Sequence, residues 1–328
     1  MNGILGGIKQ LFWNPDELRL RALFRVPATA GLLLLAVTLI LPLVGAVNGL
    51  LGLPSIFPQV VAFGLVGVTL VALAWFVDRR RIRDMGLGLD RQWGKDVIVG
   101  LAVGALIVAV AVGLLVLTGF ASVESTYAVE DPDFSFNAGS TLVGVLYGLL
   151  FFTVFATLEE VLIRGYLLVN IAEGVRRFSP TDRRAVLGAI VGTSILFGLL
   201  HAANPGGTAL SLVNITVAGL FFGVAYAATD RLAFPIGAHV GWNFAVGSLF
   251  GMPVSGLRTD SALLAVRPDG PTLVTGGSFG PEGGVAMLVG LGVGIAVFVL
   301  WVRQQYGVLA INERIAVPDL WVTGDGDS

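Results

Sequence analysis

Eight stretches of about twenty apolar residues dominate this 328-residue chain, at approximately 27 to 53, 56 to 77, 97 to 119, 140 to 172, 185 to 203, 211 to 229, 232 to 250 and 285 to 303. Each is long enough, wound as a helix, to cross a hydrocarbon core of roughly 30 Å. A backbone in lipid must satisfy its own hydrogen bonds, and a helix does so within one segment. The expected fold class is all-α: a polytopic membrane helical bundle with about eight transmembrane helices. Composition agrees, since 55% of the residues are hydrophobic and 13% are charged, against roughly 25% charged in a soluble domain. A soluble enzyme is excluded. The first run is not read as a cleaved signal peptide, because 26 residues precede it and a second run follows at once.

Charge then orients the spans. Basic loops stay on the cytoplasmic side, and 17 of the 20 Lys and Arg residues fall on one side of the predicted membrane. They are in residues 1 to 26, in the loop from Arg79 to Lys95, at Arg176, Arg177, Arg183 and Arg184, at Arg231, and at Arg303 and Arg314. The other side has only Arg258 and Arg267, and its 120 to 139 loop carries Glu124, Glu130, Asp131 and Asp133. The expectation is a multi-pass cell-membrane protein with both termini cytoplasmic. Residues 1–26 are expected to form a cytoplasmic or interfacial N-terminal segment, 27–303 the transmembrane domain, and 304–328, which ends in GDGDS, a partly disordered cytoplasmic tail. Residues 15 to 26, starting at Pro15, suit either an interfacial amphipathic helix or a short solvated arm. The Arg79 to Arg83 run reads as an orientation signal that meets anionic lipid. Residues 251 to 284 read as an external loop rich in Gly, Pro and Ser.

The formal charge of −2 leaves no basic excess, so nucleic acid is not an expected partner. With no Cys, disulfides, thiolate nucleophiles and Cys metal sites are excluded. The chemistry must come from costly polar groups inside the spans, which normally face the protein interior. They cluster in three spans: Glu159, Glu160 and Arg164 in the fourth, His201 in the fifth, and His239 with Asn243 in the seventh. Glu160 and Arg164, four apart, share a helix face and can pair. His239 and Asn243 have the same spacing. Glu159 projects about 100 degrees from Glu160, and Phe197 lies one turn before His201. A carboxylate beside a neutral imidazole can take a proton from water as it attacks a carbonyl carbon. A second His with an amide can donate to the oxyanion that develops.

Glu159-Glu160-x-x-x-Arg164, Phe197-x-x-x-His201 and His239-x-x-x-Asn243, in this order on three apolar spans, resemble the CPBP intramembrane proteases. That family includes the type II CAAX prenyl endopeptidases and proteins linked to bacteriocin processing and self-immunity. The resemblance covers roughly residues 140 to 250. It implies that Glu159 is the catalytic glutamate, that His201 helps it activate water, and that His239 and Asn243 stabilise the tetrahedral intermediate. Glu160 and Arg164 correspond to the family's supporting pair. The implied partners are a membrane-bound peptide or protein substrate and the lipid bilayer, with entry from the cytoplasmic side. The family has been described both as metalloproteases and as glutamate proteases. The favoured reading here needs no cofactor; the alternative is Zn²⁺ held by Glu159, His201 and His239, although a helix with two His four apart around a Glu is absent.

Plainer readings stand beside these. Glu160 with Arg164 is equally explained as a structural ion pair, and Phe197 as packing. Asn214, Ser194 and Thr193 read as bonds to a neighbouring helix. The Gly100/Gly104, Gly219/Gly223 and Gly237/Gly241 pairs read as close helix packing, and Asn204 to Gly207 as the turn that ends the fifth span. A transporter or channel, or a non-catalytic membrane scaffold, would use the same polar cluster. By residue count the depths also conflict: Glu159 and His201 lie about 14 and 17 residues from the basic loop between them, His239 about eight from Arg231. Either the seventh helix breaks near Pro235 and Gly237, or residues 173 to 184 continue as helix beyond the bilayer.

Overall fold

A computed structural model describes residues 11–124, 132–136 and 138–322. Lys9, Glu130, Asp131 and the terminal GDGDS lie outside the described residues. The main helices are α1 (Ala22–Leu51), α2 (Ile56–Phe76), α3 (Arg91–Leu117), α4 (Thr141–Arg176), α5 (Asp182–Leu200), α6 (Ala209–Thr229), α7 (Ala233–Phe244) and α8 (Val285–Tyr306). Sheet is confined to two small antiparallel pairs, β1 (Trp13–Asn14) with β2 (Arg19–Leu20) and β3 (Ala121–Glu124) with β4 (Ala265–Pro268). This is the expected helical membrane bundle.

Among the described residues, seven helices are long and apolar enough to cross a membrane, one fewer than the eight apolar runs. The run at 232 to 250 is helical, but it consists of a twelve-residue α-helix continued by a five-residue π segment, Ala245–Leu249. Its hydrophobicity has another cause, since every residue from Ala233 to Asn243 is buried. A helix that is apolar all round belongs in a core as well as in lipid. Leu34, Leu39, Leu43 and Leu50 of α1 show the opposite case, being large, apolar and exposed, as befits a lipid-facing surface.

α7 packs most closely on α3. A Cβ at Gly104 would collide with the backbone of Ala238, and one at Gly241 with the backbone of Leu101. Gly219 and Gly223 of α6 pack less tightly on α5, a Cβ at Gly219 lying 3.2 Å from the Ser194 Cα and one at Gly223 3.0 Å from the Ile190 side chain. The small-residue pairs therefore do let backbones approach. Thr193 and Ser194 bond to carbonyls of their own helix, at Ala189 and Ile190, not to a neighbour. Asn214 reaches the carbonyls of Glu282 and Gly284 ahead of α8.

The basic end departs from expectation. Residues 15 to 20 form a turn and strand, and α1 starts at Ala22, so the segment is neither an interfacial helix nor a solvated arm. Arg19, Arg25 and Arg80 are fully buried. Glu173 of α4 meets Arg25 at 2.9 Å and Arg19 at 3.1 Å, and also pairs with Arg80. Asp78 pairs with Arg25, and Asp84 with Arg80. Three cations and three anions thus tie the N-terminal hairpin and the end of α2 to the far end of α4. Within the Arg79 to Arg83 run, Arg81 and Arg83 bind Asp319 and Arg79 lies over Trp321. The run thus has protein partners as well as its place in the charge asymmetry.

The depth conflict resolves through α4. This helix runs 36 residues, about 54 Å at 1.5 Å per residue, and overshoots its neighbours at the basic end. Gly165 is the level marker, because a Cβ there would lie 3.0 Å from Leu232 and 3.2 Å from the Met85 carbonyl. Glu159 is six residues above Gly165, and His239 seven above Leu232, so both stand about 10 Å from that level. Pro235 does not break α7. It occupies the first turn, where its missing N–H would have no intrahelical partner.

Candidate active site

α4 delivers three of the expected residues at the point where its hydrogen-bond ladder changes. Glu159 and Glu160 close the regular helix, and residues Val161–Leu168 follow as a π segment. α7 does the same just past Asn243. Wide turns of this kind recur at functional sites. α5 ends at Leu200, so His201 is its C-cap, and the 201–206 turn that follows is the expected stop.

Glu160 lies deepest. Its Oε1 accepts Nη1 of Arg164 at 2.7 Å and Nδ1 of His239 at 2.9 Å. Arg164 also donates to the Gly219 carbonyl at 3.2 Å, and its guanidinium lies 4.7 Å from the Phe197 ring centre and 5.4 Å from that of Phe222. A buried charge needs this density of partners. Phe222 stacks on the His239 imidazole at 5.3 Å. Phe197 meets His201 edge-on at 4.8 Å and His239 at 5.9 Å, so it stands between the two imidazoles and does not simply shield one from lipid.

The hydrogen bonds assign the protons. A carbonyl oxygen only accepts, so Nδ1 of His201, 2.8 Å from the Phe197 carbonyl, carries hydrogen and Nε2 is left as the acceptor when the ring is neutral. Nδ1 of His239 donates to the Glu160 carboxylate, while its Nε2 lies 3.5 Å from Oε2 of Glu159. For His239 to donate from Nε2 as well, the ring must be an imidazolium, whose charge Glu160 balances.

Glu159, His201, His239, Asn243 and Phe197 all line one cavity of about 250 Å³. Glu160 and Arg164 sit behind it. The remaining wall is largely apolar, with Phe134, Phe151, Phe152, Phe155 and Trp242. The sequence reading missed the covering segment. Ser255, Leu257, Thr259 and Glu282 also line the cavity, so residues 251 to 284 fold back over the site and are not merely an external loop. Asn204 helps to hold them, donating to the Ser255 carbonyl at 2.9 Å. Burial pushes the Glu282 carboxyl above the usual carboxylate range, against the pull of its bonds from Ser255 and Trp242. A single acidic residue in a glycine-rich stretch gave no spacing signal. Among the described residues, no three His, Cys, Asp or Glu side chains converge closely enough to share a metal ion.

Residues 138–245, about a third of the chain, match the family model described as type II CAAX prenyl endopeptidase Rce1-like. No curated protein and no solved structure matches the chain. The matched span contains all seven site residues expected from the sequence and ends before the covering segment.

Proposed function

From the match of residues 138–245 to the type II CAAX prenyl endopeptidase Rce1-like model, we propose that this chain is an intramembrane endopeptidase of the CPBP family that hydrolyses peptide bonds with water activated by Glu159 and His201. One observation supports this most strongly: an acid, two imidazoles and an amide from three helices line the same cavity. Glu159 takes one proton of a water molecule, whose other hydrogen bonds to Nε2 of His201. The water oxygen adds to the carbonyl carbon of the substrate, and the C=O electron pair moves to oxygen. His239 and Asn243 donate to that oxyanion, and preorganised donors of this kind contribute a large part of catalysis. Collapse breaks the C–N bond, and Glu159 returns its proton to the departing amine. Glu160, pinned by Arg164, orients His239. No step passes through a metal.

The substrate on this reading is a membrane-associated peptide, CAAX-like or otherwise lipidated, with its apolar part against Phe151, Phe152 and Phe155. The basic end faces the cytoplasm, as do both termini. The test is cleavage of a membrane-linked peptide by wild type, Glu159→Gln and His201→Ala. Losing the general base should reduce kcat by about 10² to 10⁴-fold at unchanged thermal stability. Folded variants that cut as fast as wild type would overturn the proposal.

A further inference from the structure

Glu282 lies outside the family-matched region and is 2% exposed. Its Oε1 accepts Nε1 of Trp242 at 2.7 Å. Its Oε2 accepts Oγ of Ser255 at 2.8 Å and also the Ser255 backbone N–H. All three donors are neutral. Burying a carboxylate on such terms is costly, and a neutral side chain could tie a loop to a helix at lower cost. The carboxylate is placed instead where two lining residues of the cavity, one from α7 and one from the covering segment, meet. Its backbone is held too, since Asn214 of α6 donates to its carbonyl at 2.9 Å.

We infer that Glu282 is a positioning residue for the proposed hydrolysis: by fixing Trp242 and Ser255 it holds His239 and Asn243 in register with the covering segment. The inference rests on the endopeptidase reading for its kinetic part. Two routes lead from Glu282 to the reacting groups. Trp242 precedes Asn243 directly and follows His239 by three residues, so its indole anchors the turn of α7 that carries both. Its ring also meets Phe222 at 6.5 Å, and Phe222 stacks on His239. Losing the carboxylate frees the indole and Ser255 together, which loosens the oxyanion donors and leaves Glu159 and His201 in place.

The experiment compares full-length wild type with Glu282→Ala, Glu282→Gln, Trp242→Phe and the Glu282→Gln/Trp242→Phe double variant. The chain has only two histidines, so ring-labelled histidine gives two NMR signals that report the site without turnover. Glu282→Ala is expected to move the His239 signal and leave that of His201 in place. Its kcat on a peptide cut by wild type should fall about 10-fold to 100-fold, as when a hydrogen bond to a charged group is lost, with KM nearly unchanged. Glu282→Gln should recover part of the rate, and the double variant should be no worse than its poorer parent. An unmoved His239 signal with wild-type kcat overturns the inference. So does an equal disturbance of both histidines, with lost thermal stability that Gln does not rescue, because that marks a purely structural tie. If Glu159→Gln proves as active as wild type, the protease reading fails by itself, and the His239 signal still decides whether Glu282 positions α7.

Discussion

Nδ1 of His239 and Nη1 of Arg164 converge on the same oxygen of Glu160, at 2.9 and 2.7 Å. The carboxylate therefore serves the Arg164 guanidinium and the His239 imidazole at once, and it is fully buried. Removing Arg164 leaves that charge without its fixed partner, so Arg164→Ala should lose about 3 to 5 kcal/mol of stability. Glu160→Gln keeps the volume and one acceptor but not the charge, and should lower kcat by roughly 10-fold to 100-fold. Melting curves and initial rates check both. A wild-type rate for Glu160→Gln would break the link between Glu160 and His239.

Chelation separates the two descriptions of the family's chemistry. The proposed route uses only Glu159, His201, His239 and Asn243, so purified protein incubated with a strong chelator should cleave its peptide at the starting rate. Activity that disappears and returns with added Zn²⁺ would sink the metal-free route.

Backbone contact between α3 and α7 makes a steric prediction. A Cβ at Gly104 lies 2.8 Å from both the carbonyl carbon of Ala238 and the amide nitrogen of Trp242, whereas one at Gly113 of the same helix meets nothing within 4 Å. Gly104→Val should destabilise by at least about 1 to 3 kcal/mol and displace His239 and Asn243, reducing activity. Gly113→Ala should be close to neutral. Equal melting temperatures for the two variants would refute the close packing.

Glu282 gives a pH dependence. Burial raises its carboxyl above the ordinary value of 4.5, so the folded state holds this proton more firmly than the unfolded state. A raised acid pKa contributes stability that is complete below the unfolded value and is lost as pH rises through the folded one. The melting temperature of wild type should therefore fall relative to that of Glu282→Gln as pH is taken upward from about 4.5. Parallel curves would show that Glu282 does not titrate differently on folding.

The helices were legible because lipid imposes a length and a polarity on every span, and the site because six costly side chains stood out against an apolar background. What remained hidden depends on tertiary contact. The run at 232 to 250 has the hydrophobicity of a span, but burial by protein and burial by lipid leave the same mark on a sequence, and only the enclosure of Ala233 to Asn243 separates them. Arg19, Arg25 and Arg80 look like surface charges until the fold brings Glu173 to Arg19 from 154 residues away, Asp78 to Arg25 from 53 and Glu173 to Arg80 from 93. Glu282 has no periodic neighbours, so nothing local marked it. The overshoot of α4, which reconciles the heights of Glu159 and His239, was one of two options on residue count, and the contact between Gly165 and Leu232 decides it.

The enclosure of α7 bears on how the molecule is made. With α3, α4 and α6 around it and Phe298 of α8 against its Phe234 at 4.6 Å, α7 meets protein on every side. α8 follows α7 in the chain, so the enclosure of the cavity residues His239 and Asn243 is complete only once α8 has been made and packed.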